Sequence, residues 1–339
     1  MKIKNLFIIS VSALLLALQS CNNSKNTGTK EISANTEVSG TDSRGRKEKI
    51  ILPHEAMRVV VLYNALVDDV YMLQSGEKIV GIPQQIYEME DTYSFLSKLD
   101  DRIKNKSIAT PTFGGQSSNA ESIVGLNPDL VLTFNTDEDN INQLENLGIP
   151  VFTFSSLNDE KILDELKNVG KLLGKQKRAE EVTGYVAEEV KKMRASQISS
   201  PKKIYYAWSK GRIMSTSGKG SLIDMAITLS GAQNVCPVPV EAPNISAETM
   251  YKWNPDLIIL WNSKLSDVYS LKELDALPAV KNKQVFVMSP SFPYDPHTVK
   301  FMLFAKQLRH WCMPEYTQEQ LDQDVKKAFE VMYGKKGLI

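Results

Sequence analysis

The sequence predicts an α/β protein of two Rossmann-like lobes, each with a mostly parallel sheet, joined by a single long helix. Three observations predict this fold. One helix–turn–strand segment occurs twice, apolar strand-like runs alternate with amphipathic helices in both halves, and a long helical stretch separates the halves. With 339 residues, 42% of them hydrophobic, the chain is long enough for two cored domains.

The duplicated segment is Asn119–Asn135 (NAESIVGLNPDLVLTFN), which aligns without a gap with Ser246–Asn262 (SAETMYKWNPDLIILWN). Each copy starts as a short amphipathic helix with a glutamate in its first turn. Asn-Pro-Asp ends that helix, because proline lacks an N–H and disfavours helical dihedrals in the preceding residue. The apolar runs that follow, Leu130–Phe134 and Leu257–Trp261, are typical of strands buried on both faces. Two such copies predict two similar lobes.

The N-terminal residues 1–20 have the pattern of a bacterial lipoprotein signal peptide. Early lysines precede Leu6–Leu18, an apolar run too short for a comfortable membrane span. The residues up to Cys21 then resemble the lipobox, although Gln19 departs from its usual small or β-branched residue. We expect cleavage before Cys21 and diacylglycerol on its thiol, which anchors the protein to a membrane. The alternative is a conventional signal peptide with an incidental cysteine.

Residues 21–56 are predicted to be a disordered tether, because Asn, Ser, Thr, Lys, Gly and Glu dominate them and leave little apolar surface to bury. The predicted domains that follow are the N-terminal lobe 57–158, a connecting helical segment 159–200 and the C-terminal lobe 201–339. In the connecting segment we expect one helix that ends near Gly174 and a second that reaches about Ser196. The second is long enough to cross between the lobes.

Within the lobes, apolar runs and turn residues place the remaining elements. The predicted strands are Arg58–Leu62, Lys78–Ile82, Leu130–Phe134, Val151–Phe154, Lys203–Trp208, Arg212–Thr216, Leu257–Trp261 and Gln284–Met288. The predicted helices between and after them are Asn64–Gln74, Asp137–Leu147, Ser221–Leu229, Val268–Leu274, Thr298–Trp311 and Gln318–Met332.

Four features together resemble one family: the lipobox, the doubled E-x5-N-P-D-L segment, Gly218–Val235 (GKGSLIDMAITLSGAQNV) and Leu277–Met288 (LPAVKNKQVFVM). The family is the periplasmic substrate-binding proteins of ABC importers for iron–siderophore, haem and cobalamin. The resemblance covers about Arg58 to the C-terminus. It implies two α/β lobes joined by a rigid helix, with the ligand held in the cleft between them.

Glu121 and Glu248 occupy matching positions in the two copies of the repeat. In the family that the chain resembles, one glutamate per lobe pairs with arginines of the permease dimer, and these two residues match that motif. The resemblance therefore implies permease docking by both. The alternative for each alone is helix stabilisation, since an acidic side chain near a helix N-terminus contributes ~0.3–1 kcal/mol.

The ligand is expected at the C-terminal ends of the strands, where open α/β sheets bind ligands. The candidate ligand-binding residues are Asn64, Tyr87, Phe113, Trp208, Arg212, Trp261, Tyr294 and His297, with Asn135 and Asn262 also at strand ends. Aromatic faces with one cation fit a large, flat, partly anionic ligand such as a metal chelate or a tetrapyrrole.

Each of these side chains has a structural alternative. Trp208 and Trp261 are as well explained by core packing, because tryptophan is highly buried on average. His297 after Asp-Pro is more often a polar residue of a first helical turn than an iron ligand. Cys236 and Cys312 are better explained as two buried thiols than as a disulfide. Tyr294 and Arg212 are the strongest candidates, being polar-tipped and close to turns.

Three hypotheses of function follow. The first is a lipid-anchored, monomeric binding protein of the cell envelope that delivers an iron(III)–siderophore-type chelate to an ABC permease, with cobalamin or haem as alternative ligands. It is not an enzyme, and it has no cofactor and no metal site of its own. An exported enzyme on the same scaffold and an adhesion lipoprotein are the others.

Nucleic acid is not an expected partner, because Lys+Arg and Asp+Glu are both 40. With three histidines in the sequence, a His-rich metal cluster is not expected either.

Overall fold

The structure is a computed structural model that describes residues 36–41, 47–113, 117–134, 138–155, 158–196, 200–208 and 210–339. The elements below belong to one compact unit, Ala34–Ile339. The predicted signal peptide, Cys21 and Asn135 lie outside the described residues. None of the described helices has both the length and the apolar character needed to cross a membrane.

The chain begins with an antiparallel hairpin of β1 (Thr36–Thr41) and β2 (Lys47–Leu52). Leu52 at its end is buried in the main hydrophobic core. The prediction of a structureless tether across residues 21–56 is therefore wrong for these two strands. Composition could not reveal them, because the two strands pair through their backbones, and of their described side chains only Ile50 and Leu52 contact the core.

The other strands alternate with helices along the chain. In order they are β3 (Val59–Val61), β4 (Ile79–Gly81), β5 (Thr112–Phe113), β6 (Ser117–Ser118), β7 (Leu130–Phe134), β8 (Val151–Phe154), β9 (Lys203–Ala207), β10 (Gln233–Asn234), β11 (Leu257–Trp261) and β12 (Val285–Met288). β5 and β6 pair antiparallel with each other, and the other eight form two parallel sheets ordered β4-β3-β7-β8 and β10-β9-β11-β12. Counted within its own half, each sheet has the same order, second–first–third–fourth. The predicted α/β fold with two mostly parallel sheets is confirmed.

Helices surround both sheets. They are α1 (Asn64–Met72), α2 (Glu90–Leu96), α3 (Asp101–Lys104), α4 (Ala120–Gly125), α5 (Glu138–Asn146), α6 (Asp159–Leu172), α7 (Gln176–Ala195), α8 (Leu222–Ser230), α9 (Ala247–Trp253), α10 (Leu265–Tyr269), α11 (Pro278–Lys281), α12 (Phe301–Cys312) and α13 (Gln318–Tyr333). The 20-residue α7 spans about 30 Å and follows the first sheet in the chain. It contacts α6 at one side and α8, α12 and α13 at others, and α13 also packs on α1.

The repeat builds the same joint in both lobes. Its asparagines, Asn127 and Asn254, have left-handed φ values of 48° and 46°. The aspartate two residues later then binds the backbone at the start of a parallel strand of its lobe, just before β3 in one copy and at the first residue of β9 in the other. The Asp129 carboxylate accepts hydrogen bonds from the N–H groups of Met57 (2.8 Å) and Arg58 (3.0 Å), and Asp256 accepts one from Lys203 (2.7 Å). Each copy thus attaches its buried strand to the neighbouring strand of the sheet.

The central strands are buried on both faces, as their apolar runs predict. Leu130 and Leu132 of β7 belong to one hydrophobic cluster, and Val131 between them belongs to another. In β11, Ile259 faces the first of these clusters and Ile258 a third. Alternate side chains therefore fill the layers above and below each sheet.

The predicted strand Arg212–Thr216 is wrong. Gly211 takes a left-handed φ of 69° ahead of it, and only isolated bridges form, Trp208 with Arg212 and Ser215 with Asn244. The sequence pattern missed that this segment turns back immediately after β9. The second strand of the C-terminal sheet is instead the short β10.

Candidate ligand-binding cleft

A cleft of about 1190 Å³ lies at the C-terminal ends of strands from both sheets. This volume exceeds the ~300–1,000 Å³ of most small-molecule pockets. Its described lining residues are Tyr63, Asn64, Gln84, Gln85, Glu88, Met89, Glu90, Asp91, Ser94, Lys210, Asn262, Ser263, Val287, Met288, Ser289, Pro290 and Ser291. Residues 63–94 form one wall and residues 210–291 the other, so the cleft separates the two lobes.

Tyr63 and Asn64 stand where β3 ends and α1 begins. The Tyr63 ring packs edge-on against Phe134 at the end of β7, with ring centroids 4.4 Å apart, and its centroid is 6.5 Å from that of His297. Burial raises the pKa of Tyr63 to about 12, with further contributions from the carboxylates Asp295 and Glu241. Its hydroxyl therefore stays protonated at neutral pH and can donate or accept a hydrogen bond.

Asn64 has one of its two polar atoms paired. Its Nδ2 donates to Met89 Sδ at 3.3 Å. Its Oδ1 is buried and accepts no hydrogen bond within the part of the chain that the structure describes. Since buried acceptors are rarely left unpaired, this oxygen is an available partner for a donor on a bound molecule.

The C-terminal wall is built from two tight loops. Lys210 after β9 and Asn262 after β11 both have left-handed φ values, 62° and 46°, and the Lys210 N–H donates to the Asn262 carbonyl at 3.1 Å. The Ser263 hydroxyl accepts from the Gly211 N–H at 3.1 Å and lies 3.2 Å from the Trp261 carbonyl. These contacts hold the ends of two strands together at the cleft.

At the cleft, the carboxylate of Asp91 accepts hydrogen bonds from a loop of the opposite wall. Asp91 Oδ2 accepts hydrogen bonds from the Ser291 N–H (2.8 Å), the Ser291 hydroxyl (2.9 Å) and the Phe292 N–H (2.9 Å). Partial burial alone would raise the pKa of Asp91, but the hydrogen bonds from Phe292 and Ser291 outweigh it and lower the pKa. Asp91 thus fixes the Ser289–Ser291 loop that lines the cleft.

Behind this contact lies a buried ion pair that also joins the lobes. Lys300 Nζ is 2.7 Å from Asp68 Oδ2 of α1, and both side chains are almost fully buried. The Tyr333 hydroxyl donates to Asp68 Oδ1 at 2.5 Å, and Lys300 Nζ also donates to the Phe292 carbonyl. Desolvation raises the pKa of Asp68, while Lys300 and Tyr333 oppose that rise. Such a pair is costly to break from one side, because the remaining charge is left buried and unpaired.

The structure brings some of the predicted site residues to the cleft. Asn64 and Asn262 line it directly. His297 is half-buried beside Tyr63, and its backbone N–H donates to Asp295 Oδ1 at 2.9 Å. Phe113 lies in β5, of which we describe only the backbone. Arg212 is exposed and is not among the described lining residues.

The other predicted aromatic residues pack into the protein. The Tyr87 hydroxyl donates to the Ile108 carbonyl at 3.0 Å, and Trp208 Nε1 donates to the Thr216 carbonyl at 2.9 Å. Trp261 packs edge-on against Phe304, and Tyr294 is 9% exposed, with burial raising its pKa to about 12. None of these four is among the described residues that line the cleft.

Other predicted residues lie away from the cleft. Glu121 and Glu248 are exposed in the first turns of α4 and α9, capped by Asn119 and Ser246. Cys236 and Cys312 are free and buried, so the prediction of two buried thiols is confirmed. Burial raises the pKa of both, that of Cys312 to about 12.

Sequence reasoning missed most of the N-terminal wall. Tyr63, Glu88, Glu90 and Asp91 line the cleft, yet the stretch from Ile86 onward shows only a mixed, aromatic pattern in the sequence. Tyr63 could have been identified from its position directly after a buried strand, because ligands bind at the C-terminal ends of such strands. For the three acids no local signal existed, since the 3₁₀ turn Gln84–Tyr87 and α2 place them.

Three comparisons relate the chain to known proteins. A family model described as periplasmic binding protein matches residues 59–291. The ABC transporter substrate-binding lipoprotein YvrC of Bacillus subtilis, itself uncharacterized, is 24% identical over 293 residues, which cover 82% of this chain and 88% of YvrC. The iron(3+)-hydroxamate-binding protein FhuD of Bacillus subtilis is 25% identical over 298 residues, 82% of this chain and 87% of FhuD.

A cobalamin-binding protein of Halobacterium salinarum is 26% identical over 230 residues, 65% of this chain and 58% of that protein, so the match spans less than two thirds of its length. Among solved structures, Helicobacter pylori CeuE with a Ni-His complex superposes with a TM-score of 0.74 at 20% identity, covering 88% of this chain and 96% of CeuE. This likeness shows a shared fold.

We expect Asp91→Ala to lower the free energy of unfolding at pH 7 by about 1–2 kcal/mol, because it removes the acceptor of three hydrogen bonds at a partly exposed site. Since the pKa of Asp91 is lowered by folding, its contribution is complete above its ordinary value of 3.8 and is lost as the pH falls below it. Urea denaturation at pH 7 and below pH 3 measures both effects.

Asp164→Ala is the matched control, because Asp164 is 64% exposed in a surface pair with Lys167 and should change stability little. An Asp91→Ala loss that persists undiminished at acid pH would contradict the assignment of the effect to the ionised carboxylate.

Proposed function

The chain belongs to the periplasmic binding protein family, and on that premise we propose that it captures an iron(III)–siderophore-type chelate in its cleft and delivers it to an ABC permease. The cleft between the lobes is the observation that carries this proposal. Its volume of about 1190 Å³ and its position at the C-terminal ends of both sheets fit a bulky guest enclosed from two sides.

The composition of the walls also supports a chelate. Apolar contacts come from Met89, Val287, Met288 and Pro290, and one aromatic ring from Tyr63. Serine, asparagine and glutamine side chains supply neutral polar groups. Such a mixed lining suits a ligand whose surface combines amide or hydroxyl groups with a hydrocarbon scaffold, as siderophores do. The name of the relative FhuD agrees with this class.

Cobalamin is the second candidate ligand. A relative of this chain is named a cobalamin-binding protein, and a corrinoid is bulky enough to occupy a cleft of this size. A haem ligand draws some support from the proximity of Tyr63 and His297, whose ring centroids are 6.5 Å apart, but His297 is not among the described residues that line the cleft.

An enzymatic function has less support. Among the described lining residues none is a histidine or a cysteine. The Ser291 hydroxyl does donate to Asp91, but hydrogen bonds from Ser291 and Phe292 lower the pKa of that carboxylate and make it a poor base. The relatives are named as binding proteins. We therefore propose binding without turnover.

Glu121 and Glu248 are the proposed contacts with the permease dimer. Both are exposed, and the repeat places them at equivalent positions of the two lobes. Such paired charges fix orientation and accelerate encounter more than they add affinity. The proposed lipid at Cys21 would keep the protein at the membrane beside its permease.

The ligand class is tested by thermal-shift and calorimetric titration of the purified protein with ferric siderophores, cyanocobalamin and haem. We expect one class to bind with a dissociation constant of about 1 µM or less and to leave the protein chemically unchanged, because the ligand is buried between two walls. A shift accompanied by conversion of the ligand would favour the enzyme. No shift with any of these ligands would contradict the proposal.

The docking role is tested by Glu121→Ala/Glu248→Ala. We expect this double variant to lose uptake by at least about tenfold in cells while the purified protein binds its ligand as the wild type does, since the charges lie outside the cleft. Glu181→Ala/Glu315→Ala, which removes two exposed carboxylates elsewhere, is the control. Undiminished uptake by the first variant would exclude the docking role.

A further inference from the structure

The charged side chains of the cleft are unequally distributed. Its described lining contains three carboxylates, Glu88, Glu90 and Asp91, and one ammonium, Lys210. All three acids belong to the N-terminal wall, on or next to α2, while the lysine lies on the C-terminal wall. The cleft therefore differs from the cationic one that an anionic ligand needs.

Two of the acids remain available to a ligand. Asp91 is occupied by the backbone of Ser291 and Phe292. Glu88 accepts one hydrogen bond, from Gln84 Nε2 at 2.8 Å, which keeps its charge at the cleft. Glu90 is exposed beside it. Both carboxylates are exposed on the same wall of the cleft, so at low salt their combined field attracts cations and repels anions there.

A second observation points the same way. Asn64 Oδ1 is a buried acceptor at the cleft that has no donor in the described part of the chain. A ligand that satisfies this oxygen must bring an N–H or O–H group. A ligand surface of negatively charged oxygens would instead place an acceptor against an acceptor.

No other basic residue compensates for these acids in the described lining. Lys300, which lies behind the cleft, is committed to Asp68. Lys210 is thus the single cation of the described lining.

We propose that the cleft selects chelates without net negative charge, and among these prefers cationic ones, with Glu88 and Glu90 as the residues that set this preference. The inference rests on the proposed function and narrows it. Ferric hydroxamates, which are neutral or cationic, and neutral corrinoids fit the cleft. Ferric catecholates with three negative charges and haem with two propionates do not.

The test is calorimetric titration of the full-length protein with three ferric complexes: a cationic tris-hydroxamate, a neutral tris-hydroxamate and a trianionic tris-catecholate. Each is titrated at low ionic strength and again near 1 M salt, where the screening length falls to about 3 Å. The variants are Glu88→Gln/Glu90→Gln and Lys210→Gln, with Glu315→Gln as an exposed carboxylate away from the cleft.

We expect the cationic complex to bind about tenfold more tightly than the neutral one at low salt, with the difference removed by high salt. The double glutamine variant should weaken the cationic complex about tenfold and leave the neutral complex within about twofold, while Lys210→Gln should strengthen the cationic complex. Glu315→Gln should change none of these affinities.

Binding of the catecholate as tightly as the neutral hydroxamate at low salt would overturn the charge preference and leave the proposed function standing. Equal weakening of all complexes by the double glutamine variant would also overturn it, because a loss of structure rather than of charge would then explain the effect. Failure of all three complexes and of cyanocobalamin to bind would overturn the proposed function itself.

Discussion

The structure depends on two carboxylates of the N-terminal lobe that hold a single segment of the C-terminal lobe. Asp91 binds the backbone of Ser291 and Phe292 at the cleft. Asp68 forms a buried ion pair with Lys300, which follows Phe292 by a few residues in the chain. Because Lys300 also donates to the Phe292 carbonyl, the two contacts act on one loop. Breaking the Asp68–Lys300 pair would leave a buried charge without its partner, so a motion that separates α1 from the segment carrying Lys300 is energetically unfavourable.

The repeated segment performs the same structural role in each lobe. The Asn-Pro-Asp turn provides a left-handed asparagine and then an aspartate that binds the backbone of the neighbouring strand. Both sheets also have the same strand order, and their C-terminal ends face a common cleft. The duplicated local chemistry thus determines where a ligand can be enclosed, and the carboxylate contacts determine how far the walls stand apart.

Much of the fold could be predicted from the sequence because its determinants are local. Apolar runs such as Leu130–Phe134 and the glycine that ends α8 specify strands and helix ends without reference to distant residues. The turn after β9 could not be predicted from the sequence, since its geometry depends on Asn262 and Ser263, some fifty residues further along the chain. The hairpin of β1 and β2 was missed for a different reason, since its strands are mostly polar and pair through their backbones.

The cleft was harder to predict than the fold. Residues directly after strands, such as Asn64 and Asn262, could be identified from position alone. Aromatic side chains could not be assigned, because whether Trp261 or Tyr294 faces the cleft or the core depends on packing partners such as Phe304. The acids at the cleft depend on the path of the chain between β4 and α2, which no periodicity records.

We expect the two lobes to keep a fixed separation, and a distance measurement across the cleft tests this most directly. Spin labels at Lys104→Cys and Lys272→Cys, two exposed positions on opposite lobes, report this distance in a Cys21→Ser protein, while Cys236 and Cys312 stay buried. We predict one narrow distance population that changes by less than about 2 Å when a chelate binds. Two populations in the unliganded protein, or a shift of about 10 Å on binding, would show a hinged molecule and contradict this account.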